Sequence, residues 1–152
     1  MFAVYDYSLY EAKSIVNIKL NKKIENNKDF DDFLNKWLDL YERKKDFIFI
    51  FDTSDVGFIP IKYSIQMSLF IKKLKKRDYH YLQKSIIFVN SNIVKRMLDF
   101  IFMLQPPIAP VYIISNQDHI PSILDDNIDN IQKNIIIIMP SNSFLILFNL
   151  IL

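Results

Sequence analysis

Short apolar runs alternate with stretches of helical spacing along most of this chain. The runs "SIVNIKL" (14–20), "FIFIF" (47–51), "SIIFVN" (85–90) and "PVYIIS" (110–115) are rich in β-branched and aromatic residues, as strands are. The run 47–51 has no polar alternation, which is typical of a strand buried on both faces. Strands that are separated by single helices predict parallel neighbours joined by crossovers, and therefore an α/β sheet covered by helices.

Four helices are predicted from apolar residues at helical spacing. Asn27 is the expected N-cap of the first helix. The apolar stripes are Phe30, Phe33, Leu34, Trp37, Leu38 and Tyr41; Met67, Phe70, Ile71 and Leu74; Val94, Met97, Leu98 and Ile101; and Ile120, Ile123, Leu124, Ile128 and Ile131. With a short first strand near Phe2 and Val4, the predicted order is β-β-α-β-α-β-α-β-α. We expect one mostly parallel or mixed sheet of about five strands with about four helices, built from residues 1–133.

Composition narrows the classes of function. The chain has 152 residues, a net charge of +2 and no cysteine, so we expect one domain without disulfides or thiolate metal sites. The charge is too balanced to indicate nucleic-acid binding. His80 and His119 lie in separate segments without metal-ligand spacing, so no metal or other cofactor is predicted. The N-terminal stretch "MFAVYDYSLYEAK" does not have the pattern of a signal peptide, which favours a cytoplasmic location.

The last eighteen residues, from Ile135 to Leu152, are apolar but interrupted by Pro140 and several Ser and Asn residues. A membrane-spanning helix needs about 20 mostly apolar residues, so the tail is a marginal span. Three interpretations remain open: a segment packed on the domain, such as a hairpin that turns at "PSNS"; an anchor for lipid or membrane; and a spurious extension.

A polar loop follows the strand 47–51. It contains Asp52, Thr53, Ser54 and Asp55 and then Gly57, the only glycine of the chain. Loops at this end of a strand often carry sites in α/β proteins. Asp52 and Asp55 could pair, but the sequence offers no nucleophile and base to act with them, and one glycine cannot form a phosphate loop or a nucleophile elbow. We therefore expect no enzyme activity.

Structural roles explain much of this loop. Gly57 predicts a positive φ or a close approach of backbone, and Pro60 suits the first turn of a helix that begins at Ile61. The helix ends in "KKLKKR" (72–77). Cations in a last turn complement the helix dipole, so a solvated helix end is favoured over a basic site for phosphate or anionic lipid.

The element order and this loop resemble the STAS domain, the fold of anti-sigma-factor antagonists that also occurs in anion transporters. The family's segment "D-L-S-G-V-x-F-I-D-S-S-G" aligns with Asp52, Ser54, Val56, Phe58 and Ile59. The resemblance implies a non-catalytic module that binds another protein through this loop and the following helix. The implied partner-binding residues are Asp52, Thr53, Ser54, Asp55, Lys62 and Ser64.

The phosphorylatable serine of that family has no counterpart here. The family's acidic residue and two serines fall on Pro60, Ile61 and Lys62. The resemblance therefore implies an interaction surface without the phosphorylation switch.

The later part of the chain, "YLQKSIIFVNSNIVKRMLDFIFMLQPPIAPVYIIS", resembles CRAL-TRIO lipid-transfer domains. This implies an alternative function as a small lipid-binding or membrane-associated protein. In the helix over 93–104, Phe100, Phe102 and Met103 lie outside the predicted core stripe. They are a predicted apolar interface, since exposed apolar patches mark binding surfaces.

Overall fold

Six strands form one mixed sheet in which the spatial order follows the order of the chain. The computed structural model describes residues 1–129 and 135–140. The elements are β1 (Ala3–Asp6), α1 (Tyr10–Lys13), β2 (Ile15–Leu20), α2 (Asn27–Glu42), β3 (Phe47–Asp52), α3 (Ile61–Leu74), β4 (Leu82–Phe88), α4 (Asn92–Leu104), β5 (Val111–Ile114), a 3-10 turn (Gln117–His119), α5 (Ile120–Leu124) and β6 (Ile135–Ile138).

The four central strands are parallel. β2, β3, β4 and β5 pair in parallel, whereas β1 is antiparallel to β2 and β6 is antiparallel to β5. The predicted α/β class with a single mixed sheet is confirmed. The strand number differs from the prediction because Ile135–Ile138, which we assigned to the tail, pairs with β5.

The long helices α2, α3 and α4 cover one face of the sheet. Right-handed crossovers between sequential parallel neighbours place their helices on the same side. Alternate strand residues separate accordingly: Ile87 and Ile113 belong to the core under these helices, whereas Ile86 and Ile114 pack with Ile123 of α5 on the opposite face. The sheet therefore has a thick helical layer on one side and a small cover on the other.

The burial of β3 differs from the prediction. Phe47, Phe49 and Phe51 are buried beneath the helices, but Ile48 and Ile50 on the opposite face are only half-buried. The apolar run predicted a strand covered on both faces. In the described residues the second cover reaches mainly the β4–β6 side, because the residues that pack there come from α5 and the segments next to it.

Local chemistry sets the helix ends. The side chain of Asn26, one residue before the predicted cap, accepts a hydrogen bond from the Asp29 amide at the start of α2. The Ser91 side chain accepts from two amides at the start of α4, which is the usual role of an N-cap serine. The predicted last helix is much shorter than its apolar spacing suggested, because Asp126 adopts a left-handed φ of 57° directly after it.

The remainder of the predicted tail, residues 141–152, lies outside the described residues, as do residues 130–134. Within the described ranges no helix has the length and apolar character needed to cross a membrane.

Candidate functional site

A polar cluster lies where β2 and β3 end. Lys19 and Asp52 are register partners on these neighbouring parallel strands, so their side chains leave the sheet at the same edge. The Lys19 Nζ lies 3.0 Å from Asp52 Oδ2, 3.3 Å from Asp55 Oδ2 and 2.9 Å from Ser54 Oγ. The cluster joins the strand end to the loop that follows it.

The lysine of this cluster contacts several acceptors. An ammonium group has three N–H donors, and Lys19 has three acceptors in reach. Asp52 is also occupied, because its Oδ1 accepts the Ser54 amide at 2.9 Å. The cluster therefore braces the loop.

The pKa values of the pair follow from these contacts. For Asp52, burial acts to raise the pKa, but hydrogen bonds from Ser54 and Lys19 prevail and hold the pKa below its usual value. The hydrogen bond to Asp52 is the largest cause that raises the pKa of Lys19. Both shifts favour the charged forms, as expected for an ion pair.

Backbone contacts shape the rest of the loop. The buried Thr53 hydroxyl donates to the Phe88 carbonyl at 2.7 Å, and the Gly57 amide donates to the Lys22 carbonyl at 2.9 Å. Gly57 does not have a positive φ. A Cβ at this position would lie 3.4 Å from the Lys22 oxygen, so the close approach is ordinary van der Waals contact and leaves room for a methyl group.

The predicted partner-binding residues do not share one surface. Thr53 and Ser64 are buried, so they are not available to a partner in this structure. Asp55 and Lys62 are exposed. The Lys62 ammonium lies 3.3 Å from the Asn27 side-chain oxygen, which ties it to the start of α2.

The outer side of α3 has an exposed apolar stripe. Ile61, Ile65 and Leu69 recur every four residues, so they form one stripe on consecutive turns. Ile61 is 62% exposed and Leu69 is 58% exposed. Phe58, in the loop that leads into α3, is 76% exposed. These side chains give α3 a second apolar stripe in addition to its buried one.

The next helix continues this surface. α3 and α4 approach closely, and the residues buried on α3 include the small Ser64 and Ser68. On α4, Ile93, Met103 and Leu104 are exposed. The apolar surface therefore extends over two neighbouring helices.

The predicted apolar interface on α4 divides into three environments. Phe102 packs against the main core, Phe100 is half-buried, and Met103 is 71% exposed. The predicted core residues Val94, Leu98 and Ile101 are buried. Of the three predicted interface residues, only Met103 is therefore exposed.

We call the apolar surface on these two helices and the leading loop the α3–α4 face. Its members are Phe58, Ile61, Ile65, Leu69, Ile93, Met103 and Leu104. Among the described residues, seven of the twelve large apolar side chains that are exposed lie here. Scattered exposed apolar side chains are ordinary, whereas a concentration of them is a candidate binding surface.

Two cavities lie close to these surfaces. An apolar cavity of about 110 Å³ lies between the helices and the sheet and is lined by residues such as Trp37, Met67 and Ile101. A shallow groove of about 440 Å³ lies on the opposite face of the sheet and is lined by Asp6, Asn17, Lys19, Asp52, Gln117 and several apolar residues. The Lys19 cluster borders this groove.

Sequence reasoning missed two parts of this region. The polar positions Asn17 and Lys19 alternate with apolar ones in β2, which indicates a polar face of the strand. Ile61, Ile65 and Leu69 also stand at helical spacing, and this second stripe on one helix indicates more apolar surface than one core contact needs.

Comparisons of this chain with protein-family models, with curated proteins and with solved structures found no match.

Proposed function

We propose that this protein is a non-catalytic interaction module of STAS-like type that binds another protein through the α3–α4 face. The observation that carries the proposal is the concentration of exposed apolar side chains on two adjacent helices and the loop before them. Burial of apolar surface is the main favourable term in most protein association. Ile61 and Leu69 are the two ends of the apolar stripe along α3, and Phe58 precedes it in the loop.

The topology supports the STAS-like part of the proposal. An antiparallel first pair is followed by parallel strands in chain order, with α2, α3 and α4 on one face. The loop after β3 and the helix α3 occupy the place where the resembled family presents its partner-binding surface. A partner surface of this kind needs shape and apolar area, so it does not depend on a serine at position 61 or 62.

The polar cluster supports the non-catalytic part. A catalytic lysine or carboxylate needs a polar atom that is directed at the substrate and within hydrogen-bond reach of it. Lys19 instead contacts Asp52, Ser54 and Asp55. These contacts give the cluster a structural role, which is to hold the loop in front of α3.

The alternative, a small lipid-binding protein, draws on the apolar cavity beneath α3 and α4. That cavity holds about 110 Å³, whereas ligand pockets are typically about 300–1,000 Å³. The cavity in this conformation is therefore too small for an acyl chain with its head group. We place protein binding ahead of lipid binding for this reason.

Native mass spectrometry of the full-length protein, purified from its own cells, tests the proposal. We expect a co-purifying protein chain that is lost in the Ile65→Asp and Leu69→Asp variants. Val4→Asp is the matched control, because Val4 is also an exposed apolar residue but borders the groove on the opposite side of the sheet. A bound mass of several hundred daltons without a protein partner would favour lipid binding, and equal capture by all variants would exclude the α3–α4 face.

A further inference from the structure

We infer that the segment bound by the α3–α4 face is an acidic amphipathic helix. This inference rests on the proposed function and adds the chemistry of the partner. Along its whole length α3 contains no Asp or Glu, but it contains Lys62, Lys72 and Lys73. The charged side chains of α3 are therefore all positive.

The cations stand next to the apolar side chains. Lys72 and Lys73 follow Leu69 by three and four residues, so they lie on the next turn of the same stripe. Arg96 follows Ile93 by three residues on α4. A partner that covers the apolar residues would also meet these charges.

These cations lack counter-charges within the described part of the chain. Lys72, Lys73 and Arg96 are exposed and make no ion pair or hydrogen bond with described residues. The acidic residue of α4, Asp99, is already paired with Lys95 at 2.6 Å. Carboxylates on the partner would therefore find open cations beside the apolar contact, which gives both steering and orientation.

The shape of the face favours a helix as the bound segment. Two helices packed side by side leave a shallow groove between their outer ridges, and an amphipathic helix can lay its apolar stripe in such a groove. From Ile61 to Lys72 the stripe is about 16 Å long, at about 1.5 Å per helical residue. Three turns of a partner helix match this length.

The charges disfavour two other occupants. A second copy of this chain whose α3 ran parallel to the first would bring Lys72, Lys73 and Arg96 against the same cations, which is repulsive. Residues 141–152 contain no charged side chain, so they offer no counter-charge.

The loop end of the face has charges of both signs. The carboxylates of Asp52 and Asp55 contact Lys19 there. Lys62 stands at the start of α3, and the Lys22 carbonyl accepts the Gly57 amide. An anionic membrane is therefore the alternative occupant that the vesicle probe distinguishes from an acidic helix.

Binding of designed probes to the full-length protein tests this chemistry. One probe is a labelled helical peptide of about 18 residues with leucines at i, i+3, i+4 and i+7 and glutamates beside them. The second probe has lysine in place of each glutamate, and the third is vesicles with about one-third phosphatidylserine in phosphatidylcholine. Fluorescence anisotropy measures binding of the peptides, and co-sedimentation measures binding of the vesicles.

We expect the glutamate peptide to bind about tenfold tighter than the lysine peptide. The double variant Lys72→Glu with Lys73→Glu should reverse that order, while Lys13→Glu with Lys44→Glu, the same charge change on exposed lysines outside the face, should leave it intact. Equal affinity for both peptides, preference for vesicles, or no binding of the glutamate peptide would overturn the acidic-helix inference. Native mass spectrometry measures the complex with the natural partner, and its loss in Leu69→Asp, separately. The proposed function can therefore hold even if the bound segment is not an acidic helix.

Discussion

Lys19 and Asp52 are partners in the β2–β3 register, and their charged groups meet at 3.0 Å at the end of both strands. The aspartate also accepts the amide of Ser54. The Asp52 side chain thus links β2 to the start of the loop that follows β3. This relationship explains why a carboxylate follows directly after an apolar strand.

Replacement of Asp52 tests the bracing role. Asp52→Ala removes the acceptor for both Lys19 and the Ser54 amide, so we expect a loss of about 1.5–3 kcal/mol in the free energy of unfolding, the range for hydrogen bonds to charged groups. Urea unfolding followed by circular dichroism measures it. Lys28→Ala, which breaks the exposed pair with Asp32, is the control and should cost less than about 1 kcal/mol. Equal losses in the two variants would show that Asp52 does not brace the loop.

The acid dependence of stability should carry a contribution from Asp52. Hydrogen bonds from Ser54 and Lys19 hold its folded-state pKa below the ordinary value, despite burial. A lowered folded pKa stabilises the fold above the unfolded pKa of about 3.9, and this stabilisation is lost as the pH falls through the folded pKa. We therefore expect urea midpoints to fall below about pH 4 with a component that is absent in Asp52→Asn. Identical acid profiles for the two proteins would contradict the assignment.

Much of the fold could be predicted because its signals are local. Helical spacing predicted the long helices, and β-branched runs predicted the strands. Their alternation along the chain predicted an α/β sheet. The sixth strand, Ile135–Ile138, was left open between a packed hairpin, an anchor and a spurious extension, because a short apolar run does not decide its own structure and only its pairing with β5 does. The partner of a strand depends on the tertiary fold and is not visible in the local sequence pattern.

The candidate site was harder to predict for a related reason. The loop itself was found from its composition, but exposure depends on which side of α3 faces the core. Ser64 and Leu69 illustrate the point: the polar residue is buried and the apolar residue is exposed, against their ordinary preferences. The close approach of α4 favours small residues on the buried side of α3, and the apolar residues on the outside are the basis of the proposed binding surface.

The only glycine of the chain should be replaceable. Gly57 does not have a positive φ, and an added Cβ would lie 3.4 Å from the Lys22 carbonyl oxygen. We expect Gly57→Ala to change the free energy of unfolding by less than about 1 kcal/mol, with a gain if reduced freedom of the unfolded chain dominates. Thermal and urea unfolding measure this. A loss well above that value would mean that the loop needs backbone freedom that this conformation does not show.

The outer stripe of α3 should contribute little to folding if it exists for binding. Leu69 and Leu74 lie on the same helix, but Leu69 is 58% exposed and Leu74 is buried. We expect Leu74→Ala to cost about 2–5 kcal/mol, as for core leucines, and Leu69→Ala to stay within about 0.5 kcal/mol, as for surface substitutions. Urea unfolding of both variants under one set of conditions provides the comparison. A large loss from Leu69→Ala would mean that this stripe is covered within the folded chain, and the α3–α4 face would then not be available to a partner.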